Sequence, residues 1–396
     1  MNYRTGNHNE WHGHTFQEVL AHTIIFRKRK KKLCMEPIFS TVDIVEIIKE
    51  KNMENRAFVL TALRKMESRT IPMPTVGDDD VLIKIKAVGI CGSDLHYYDK
   101  GNIGDFIVEF PFILGHEAAG DVVEVGRNVK HLKVGDRVCM EPGIPCYHCP
   151  ECLSGHYNLC KDVRFWATPP YDGCLCDYVA HPAAFTFPIP EMMSYTEGAL
   201  VEPMAIGLHA ANTGGVKLGQ TVAIIGAGTI GLVTALAAKA YGATKLIIGD
   251  VLDKRLAKAT EFGCIAVNTK DEDFVQRVLD ETDGRGADVV IDCAGFSETV
   301  ANAIKAAAPA ATVILVGLGA DKFNDVPSSP ISTKELTIKS IFRYRNLYPI
   351  AVNAIASGLI PVSKLVSHRF SFENSAKAFV VCLDDIKNVV KGVIEY

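Results

Sequence analysis

The chain has 396 residues, of which 48% are hydrophobic and 22% charged, with 32 glycines and 12 cysteines. That is length enough for two domains with sizeable cores, and the composition excludes a disordered or collagen-like chain. A net charge of −4 offers no global attraction for nucleic acid or an anionic membrane, and the sequence shows neither a membrane-spanning apolar stretch nor a secretory signal.

Residues 1–52 stand apart. They hold His8, His12, His14 and His22, the run Arg27-Lys28-Arg29-Lys30-Lys31-Lys32, and a weakly helical stretch at 42–50. This predicts a disordered or non-native N-terminal extension whose basic run is a solvated arm. From Met53 the pattern becomes strand-like, with a short apolar run at 57–60. Val81-Leu82-Ile83-Lys84-Ile85-Lys86-Ala87-Val88 then alternates as a half-buried strand does. Frequent Gly and Pro over the next hundred residues fit a β-rich, barrel-like domain. Near residue 205 the rhythm changes. Buried strands are expected at 221–225, 245–249, 287–292 and 312–316, with helices at 229–241, 254–262 and 297–308. Such alternation predicts a Rossmann-type, doubly wound parallel sheet over 206–345, and the segment 346–396 is expected to return to the first domain, 53–205. The fold class is therefore α/β, a β-rich domain plus a parallel sheet.

Cys146-x2-Cys149-x2-Cys152-x7-Cys160 places four thiolates within fifteen residues. Twelve cysteines without a secretory signal point to a reducing, cytoplasmic setting and to metal rather than disulfides. A tetrahedral zinc site closed by four cysteines leaves no open position, so its role is structural. A nucleic-acid zinc module lacks the basic and aromatic density it needs, and an iron–sulfur site lacks the proline expected after the fourth cysteine.

Gly226-Ala227-Gly228-Thr229-Ile230-Gly231 follows an apolar strand and opens a helix. Gly226 permits the tight turn, Gly228 lets a pyrophosphate approach the backbone, and Gly231 permits close helix packing. Asp250 lies nineteen residues past Gly231, where a carboxylate accepts ribose hydroxyls and repels a 2′-phosphate, favouring NAD over NADP. Arg255 is placed to stack on adenine or to soften that preference.

Three further segments bear sulfur, nitrogen and oxygen donors: Cys91-Gly92-Ser93-Asp94-Leu95-His96, Gly115-His116-Glu117 and Val201-Glu202-Pro203. Three protein ligands and one open position is the arrangement of a catalytic zinc. Asp94 is placed to accept a hydrogen bond from a metal-bound imidazole.

These motifs, with Gly115 to Gly120 continuing through Gly126 and Val129, resemble the zinc-containing medium-chain dehydrogenase/reductase superfamily. Within it the chain is most similar to the sorbitol (L-iditol) and xylitol dehydrogenase, or D-xylulose reductase, branch. Cys91 through Tyr98, Ala167-Thr168-Pro169-Pro170-Tyr171-Asp172-Gly173, Glu202-Pro203, Val316-Gly317-Leu318-Gly319 and Phe342-Arg343-Tyr344 carry that likeness. It covers 53–396 and implies a GroES-like catalytic domain joined to the Rossmann domain. It further implies Cys91, His116 and Glu117 as catalytic zinc ligands, with Glu202 either holding the metal's water or replacing Glu117. Tyr97, Glu202, Arg343 and Tyr344 are implied at the substrate, and Ile230, Asp250, Arg255, Val316, Gly317, Leu318, Ile341 and Phe342 at NAD. Ser93 and His96 are spaced like an alcohol dehydrogenase proton relay. The expected reaction is oxidation of a small polyol at C2 to the ketose, and its reverse, by a homo-oligomer, tetramer or dimer, with no nucleic-acid or membrane partner. Two other readings stand beside it: a related dehydrogenase of threonine, butanediol or simple alcohols, and a non-catalytic structural relative, which would typically have lost zinc ligands.

Overall fold

The computed structural model describes residues 54–320 and 322–396; the 1–52 extension, with its histidines and basic run, lies outside them. Two sheets organise the described residues. The first has seven strands. Six follow the order Thr186–Pro188, Arg137–Met140, Glu117–Val125, Asp80–Ile90, Gly392–Glu395, His368–Ser371, and Tyr178–Pro182 also pairs with Asp80–Ile90. All its pairings are antiparallel except the last, between His368–Ser371 and Gly392–Glu395. A smaller sheet, Lys65–Ile71, Asn55–Ala62, Phe112–Ile113, shares its core through Phe58, Leu60, Ile83 and Ile85.

The second sheet is wholly parallel, in the order Ile265–Asn268, Lys245–Asp250, Thr221–Ile225, Ala287–Asp292, Ala307–Leu315, Thr337–Ser340. Its four inner strands read as largely apolar runs because both faces are covered. Val222 and Ile224 enter one core, Ala223 and Ile225 the other. The strand order reverses beside Thr221–Ile225, and ligands of such sheets sit at the carboxyl ends of the strands there. The core on the Val222 side continues through Met204 and Leu208 of the helix Val201–Gly214 to Tyr344 and Tyr348, and on to Ala87 and Ala119 of the first sheet.

The expected helices and strands are present, the strands at 221–225 and 287–292 with the expected ends and the others with shifted ones. The strand expected at 312–316 begins at Ala307 and pairs there with Ala287, then slips register before Thr312, with Ala310 at φ 59°. The preceding helix accordingly stops at Ala306. The strands Ile265–Asn268 and Thr337–Ser340 carried no sequence signal. Each is four residues long, and the second is exposed along its whole length at the sheet edge. Among the described residues no helix is long and apolar enough to cross a membrane.

Candidate functional site

Two neighbouring strands bring the first donors together. Asp80–Ile90 runs directly into Cys91, which caps the helix Gly92–Lys100. Glu117–Val125 pairs with it in a register that sets Glu117 opposite Gly89. The Cys91 thiol, the His116 imidazole and the Glu117 carboxylate each offer a ligand atom within 4.8 Å of one another. Only glycine suits position 89, since a Cβ there would stand 1.9 Å from Glu117 Oε2.

Asp94 clamps this group. Fully buried in the first turn of the helix, its carboxylate accepts the backbone N–H of Cys91 at 3.0 Å and that of Gly115 at 3.0 Å. It also faces His116 Nδ1 at 3.3 Å, although that nitrogen is out of hydrogen-bond alignment. Burial alone would push the imidazole down, but the Asp94 carboxylate and Cys91 carry it well above its usual value. A cation approaching the ring must therefore displace a proton. With Nδ1 turned to Asp94, Nε2 remains for a metal. Glu117 has its own buried partner: Lys391 Nζ donates to its Oε1 at 2.7 Å and to the Ile90 carbonyl at 2.9 Å. Burial pushes the lysine down, but Glu117 and Cys91 outweigh it and keep it charged. The sulfur, imidazole and carboxylate set fits a borderline dication such as zinc, with Glu117 Oε2 standing 2.5 Å from the Lys391 ammonium.

Glu202 lies outside that 4.8 Å group, in the first turn of Val201–Gly214. It is buried and accepts a hydrogen bond from Tyr344 Oη at 2.8 Å. Burial and the neighbouring Glu117 push its carboxyl up to about 7 against the pull of His116. Buried Tyr97 and half-buried Arg343 complete this wall, each close enough to alter the other's ionisation. The Arg343 guanidinium lies over the Phe165 ring at 3.9 Å, and the same ring sits 5.6 Å from the His116 ring. Buried Arg343 Nη1 has no protein partner among the described residues. Ser93 is half-buried and His96 exposed on the helix after Cys91, and neither side chain makes a hydrogen bond among the described residues.

The dinucleotide motif opens the helix Thr229–Ala240, with Gly226 at φ 94°. A Cβ on Gly231 would stand 1.7 Å from the Gly226 carbonyl oxygen, so the turn admits no side chain there. Gly228, Thr229, Ile230, Gly231 and Arg255 line one cleft together with Cys91, Glu117 and Lys391. Asp250 accepts three backbone N–H groups, those of Ala227, Val251 and Leu252 at 2.7, 2.7 and 2.9 Å. Its carboxylate is thus fixed, with one lone pair remaining for a ribose hydroxyl. Val316, Gly317 and Leu318 follow the carboxyl end of Ala307–Leu315, and Ile341 and Phe342 that of Thr337–Ser340.

The four cysteines of the 146–160 loop also converge within 4.8 Å. Cys146 Sγ accepts the N–H of Cys149 at 3.3 Å, and Cys160 Sγ that of Cys146 at 3.4 Å. Backbone N–H donors of His148 and Cys149 push the Cys146 thiol down to about 6, while Cys149 and Cys152, sharing protons with the same cluster, are pushed up and must lose theirs to a metal. The donor set suits a closed zinc site.

Sequence reasoning missed Lys391, Tyr157, Asn158, Glu141 and Phe165. None sits in a short motif with its partners: Lys391 is 274 residues from Glu117, and Asn158 is 184 from Phe342. The one available signal was a lone lysine in the apolar run Val389-Val390-Lys391-Gly392-Val393-Ile394.

With this geometry in place, comparison with known proteins is direct. Residues 77–191 match the alcohol dehydrogenase GroES-like domain, and residues 229–357 match the zinc-binding dehydrogenase family. A D-xylulose reductase of Morganella morganii is 48% identical over 77% of this chain and 90% of its own length. A sorbitol dehydrogenase of Bacillus subtilis is 41% identical over 86% of this chain and 97% of its own. Among solved structures, an Escherichia coli oxidoreductase of unknown specificity superposes with a TM-score of 0.83 at 40% identity, covering 87% of this chain and 99% of its own. An E. coli alcohol dehydrogenase complexed with NADH gives 0.80 at 29% identity, covering 87% and 99%. The chain belongs to the zinc-binding dehydrogenase family, with an α/β fold of a GroES-like part and a Rossmann-type sheet. It is an oxidoreductase acting on CH–OH groups.

Proposed function

We propose that this chain is a zinc-dependent polyol dehydrogenase that oxidises a polyol such as xylitol, sorbitol or L-iditol at C2 to the ketose, with NAD as hydride acceptor, and runs the reverse reduction. The observation that carries this reading is the wall of hydrogen-bonding groups, buried Tyr97, Glu202 and Tyr344 with half-buried Arg343, beside the Cys91–His116–Glu117 group. A pocket for simple alcohols gains nothing from burying such groups, whereas a hydroxyl-rich substrate supplies each with a partner.

Cys91, His116 and Glu117 would hold the catalytic zinc, which supplies a Lewis acid that lowers the pKa of a substrate hydroxyl. Asp94 fixes the imidazole that grips it. The Glu202 carboxyl, held near neutrality in its ionisation, accepts a proton close to the reacting carbon. Ser93 Oγ passes a proton outward, and exposed His96 releases it to water. Arg343 and Tyr344 orient the remaining hydroxyls. The glycine turn and the Thr229 N-terminus receive the pyrophosphate, Asp250 takes the ribose, and Arg255, Ile230, Val316, Gly317, Leu318, Ile341 and Phe342 flank the dinucleotide. Cys146, Cys149, Cys152 and Cys160 hold a structural zinc. We further infer two folding units, 53–205 with 346–396 and 206–345, in a cytoplasmic homo-oligomer with no nucleic-acid or membrane partner. The wholly exposed edge strand Thr337–Ser340 supports association of copies.

The test supplies zinc-loaded protein with NAD and either xylitol, sorbitol or ethanol, and follows NADH absorbance. Polyols should be oxidised well ahead of ethanol. Cys91→Ser should end turnover while NADH still binds. A folded, zinc-loaded protein inert toward every polyol would sink the proposal.

A further inference from the structure

We propose that Tyr157 and Asn158, carried on the four-cysteine loop, are positioning residues for the polyol pocket: they hold the 342–346 segment in the shape that presents Arg343 and Tyr344. The inference rests on the substrate role given above to those two side chains.

The segment cannot hold that shape by itself. Arg343 has φ 54°, in the left-handed region that a long side chain avoids unless its surroundings impose it, whereas Asn346 at φ 56° is a residue type that adopts that region readily. The imposing contacts come from one short turn, Tyr157–Leu159, bracketed by Cys152 and Cys160. Asn158 Nδ2 donates to the Phe342 carbonyl at 2.8 Å, and its Oδ1 accepts from Arg345 Nη1 at 3.3 Å. Tyr157 Oη accepts the Asn346 N–H at 2.6 Å and donates to Glu141 Oε1 at 2.8 Å. The segment is therefore pinned on both sides of the Arg343-Tyr344 pair. Asn158 is only 4% exposed, so water cannot readily replace its bonds. The thiolate cluster fixes the turn from both sides, since Cys160 Sγ receives the Cys146 N–H at 3.4 Å. Five residues beyond Cys160, Phe165 supplies the ring under the guanidinium. What this arrangement leaves over is buried Arg343 Nη1, held in place without a protein partner among the described residues. The cysteine loop thus acts on substrate choice as well as on stability.

The test compares kcat/KM for xylitol with that for 2-butanol, a monohydroxy secondary alcohol that makes no use of Arg343 and Tyr344. It is run on wild type, Asn158→Ala, Asn158→Asp and the milder Tyr157→Phe. NADH affinity and zinc content are measured on each. Asn158→Ala should raise the xylitol KM roughly tenfold or more, the scale of a lost buried hydrogen bond. Asn158→Asp should follow it, because it keeps the acceptor for Arg345 but loses the donor to Phe342. Kinetics on 2-butanol, NADH affinity and zinc content should stay within about twofold, so that the xylitol preference collapses. An unchanged preference in folded Asn158→Ala and Tyr157→Phe overturns the inference. So does an equal loss on both alcohols accompanied by zinc loss, which marks a purely structural role. If the wild type itself does not prefer xylitol, the polyol reading fails, and this inference with it.

Discussion

Changing Asp94 to asparagine should weaken the catalytic metal site in a way that grows with pH. The native carboxylate gives Oδ2 to the Cys91 N–H and Oδ1 to the Gly115 N–H, each at 3.0 Å, and turns Oδ1 toward His116. An amide keeps one acceptor oxygen, so at least one buried N–H must face an NH2 group. Losing one charge-assisted hydrogen bond costs about 2–3 kcal/mol of stability. Removing the partner of a metal-bound imidazole costs about 10- to 100-fold in metal affinity. The pH dependence follows from the imidazole. In the metal-free wild type its pKa is raised, so it carries a proton at neutrality, and metal binding must release that proton. This penalty disappears as pH rises through the raised pKa. Without Asp94 the imidazole loses the larger of the two charges that raise it, so the variant gains less from added base. Zinc affinity, measured by chelator competition between pH 6 and 9, should therefore rise more steeply in wild type, and the gap should widen toward pH 9. Equal affinities across that range, with an unchanged denaturation midpoint, would refute the clamp.

Lys391→Met removes the cation paired with buried Glu117, which should cost about 3–5 kcal/mol in the metal-free protein. Denaturation with zinc and with chelator should show the loss shrinking when zinc supplies the positive charge. Cys149→Ser opens the four-thiolate site; elemental analysis should find one zinc fewer per chain, and the Tm should fall by roughly 5 °C or more while NADH affinity persists. His181 is fully buried, its ring nitrogen Nε2 lies 3.0 Å from the Glu141 carbonyl oxygen, and burial pushes it down to about 4. Its neutral form stabilises the fold above the unfolded-state value near 6.5, and about 3 kcal/mol is lost as pH falls from there to about 4. His181→Gln should flatten the decline of stability over that window, and parallel decline in the two proteins would argue against it.

What could be read from the text was whatever local spacing encodes. Cys91 and Asp94 are three residues apart because one first turn of helix holds both, and His116 and Glu117 are adjacent because a single strand end delivers them. The 146–160 cysteines fall at the short intervals that thiolate knuckles need. The parallel strands announced themselves through apolar runs buried on both faces, as in Val222 to Ile225. The edge strand Thr337–Ser340 stayed silent because an exposed edge needs no apolar pattern. Lys391, Asn158 and Tyr157 are ordinary residue types whose meaning comes from distant partners. Glu202 was implied either to hold the metal's water or to replace Glu117; it lies outside the three-donor group, in the first turn of Val201–Gly214, where it accepts from Tyr344 Oη.

The pairing of Gly392–Glu395 with the far half of Asp80–Ile90 has a consequence for biosynthesis. During synthesis, residues 87–90 leave the ribosome some 300 residues ahead of the strand that will cover them. At roughly 5–20 residues per second, that edge stays bare for tens of seconds. An uncovered strand edge invites the wrong neighbour. A nascent chain therefore passes through an interval in which its metal-gripping end is both unfinished and adhesive, and chaperone demand should concentrate there.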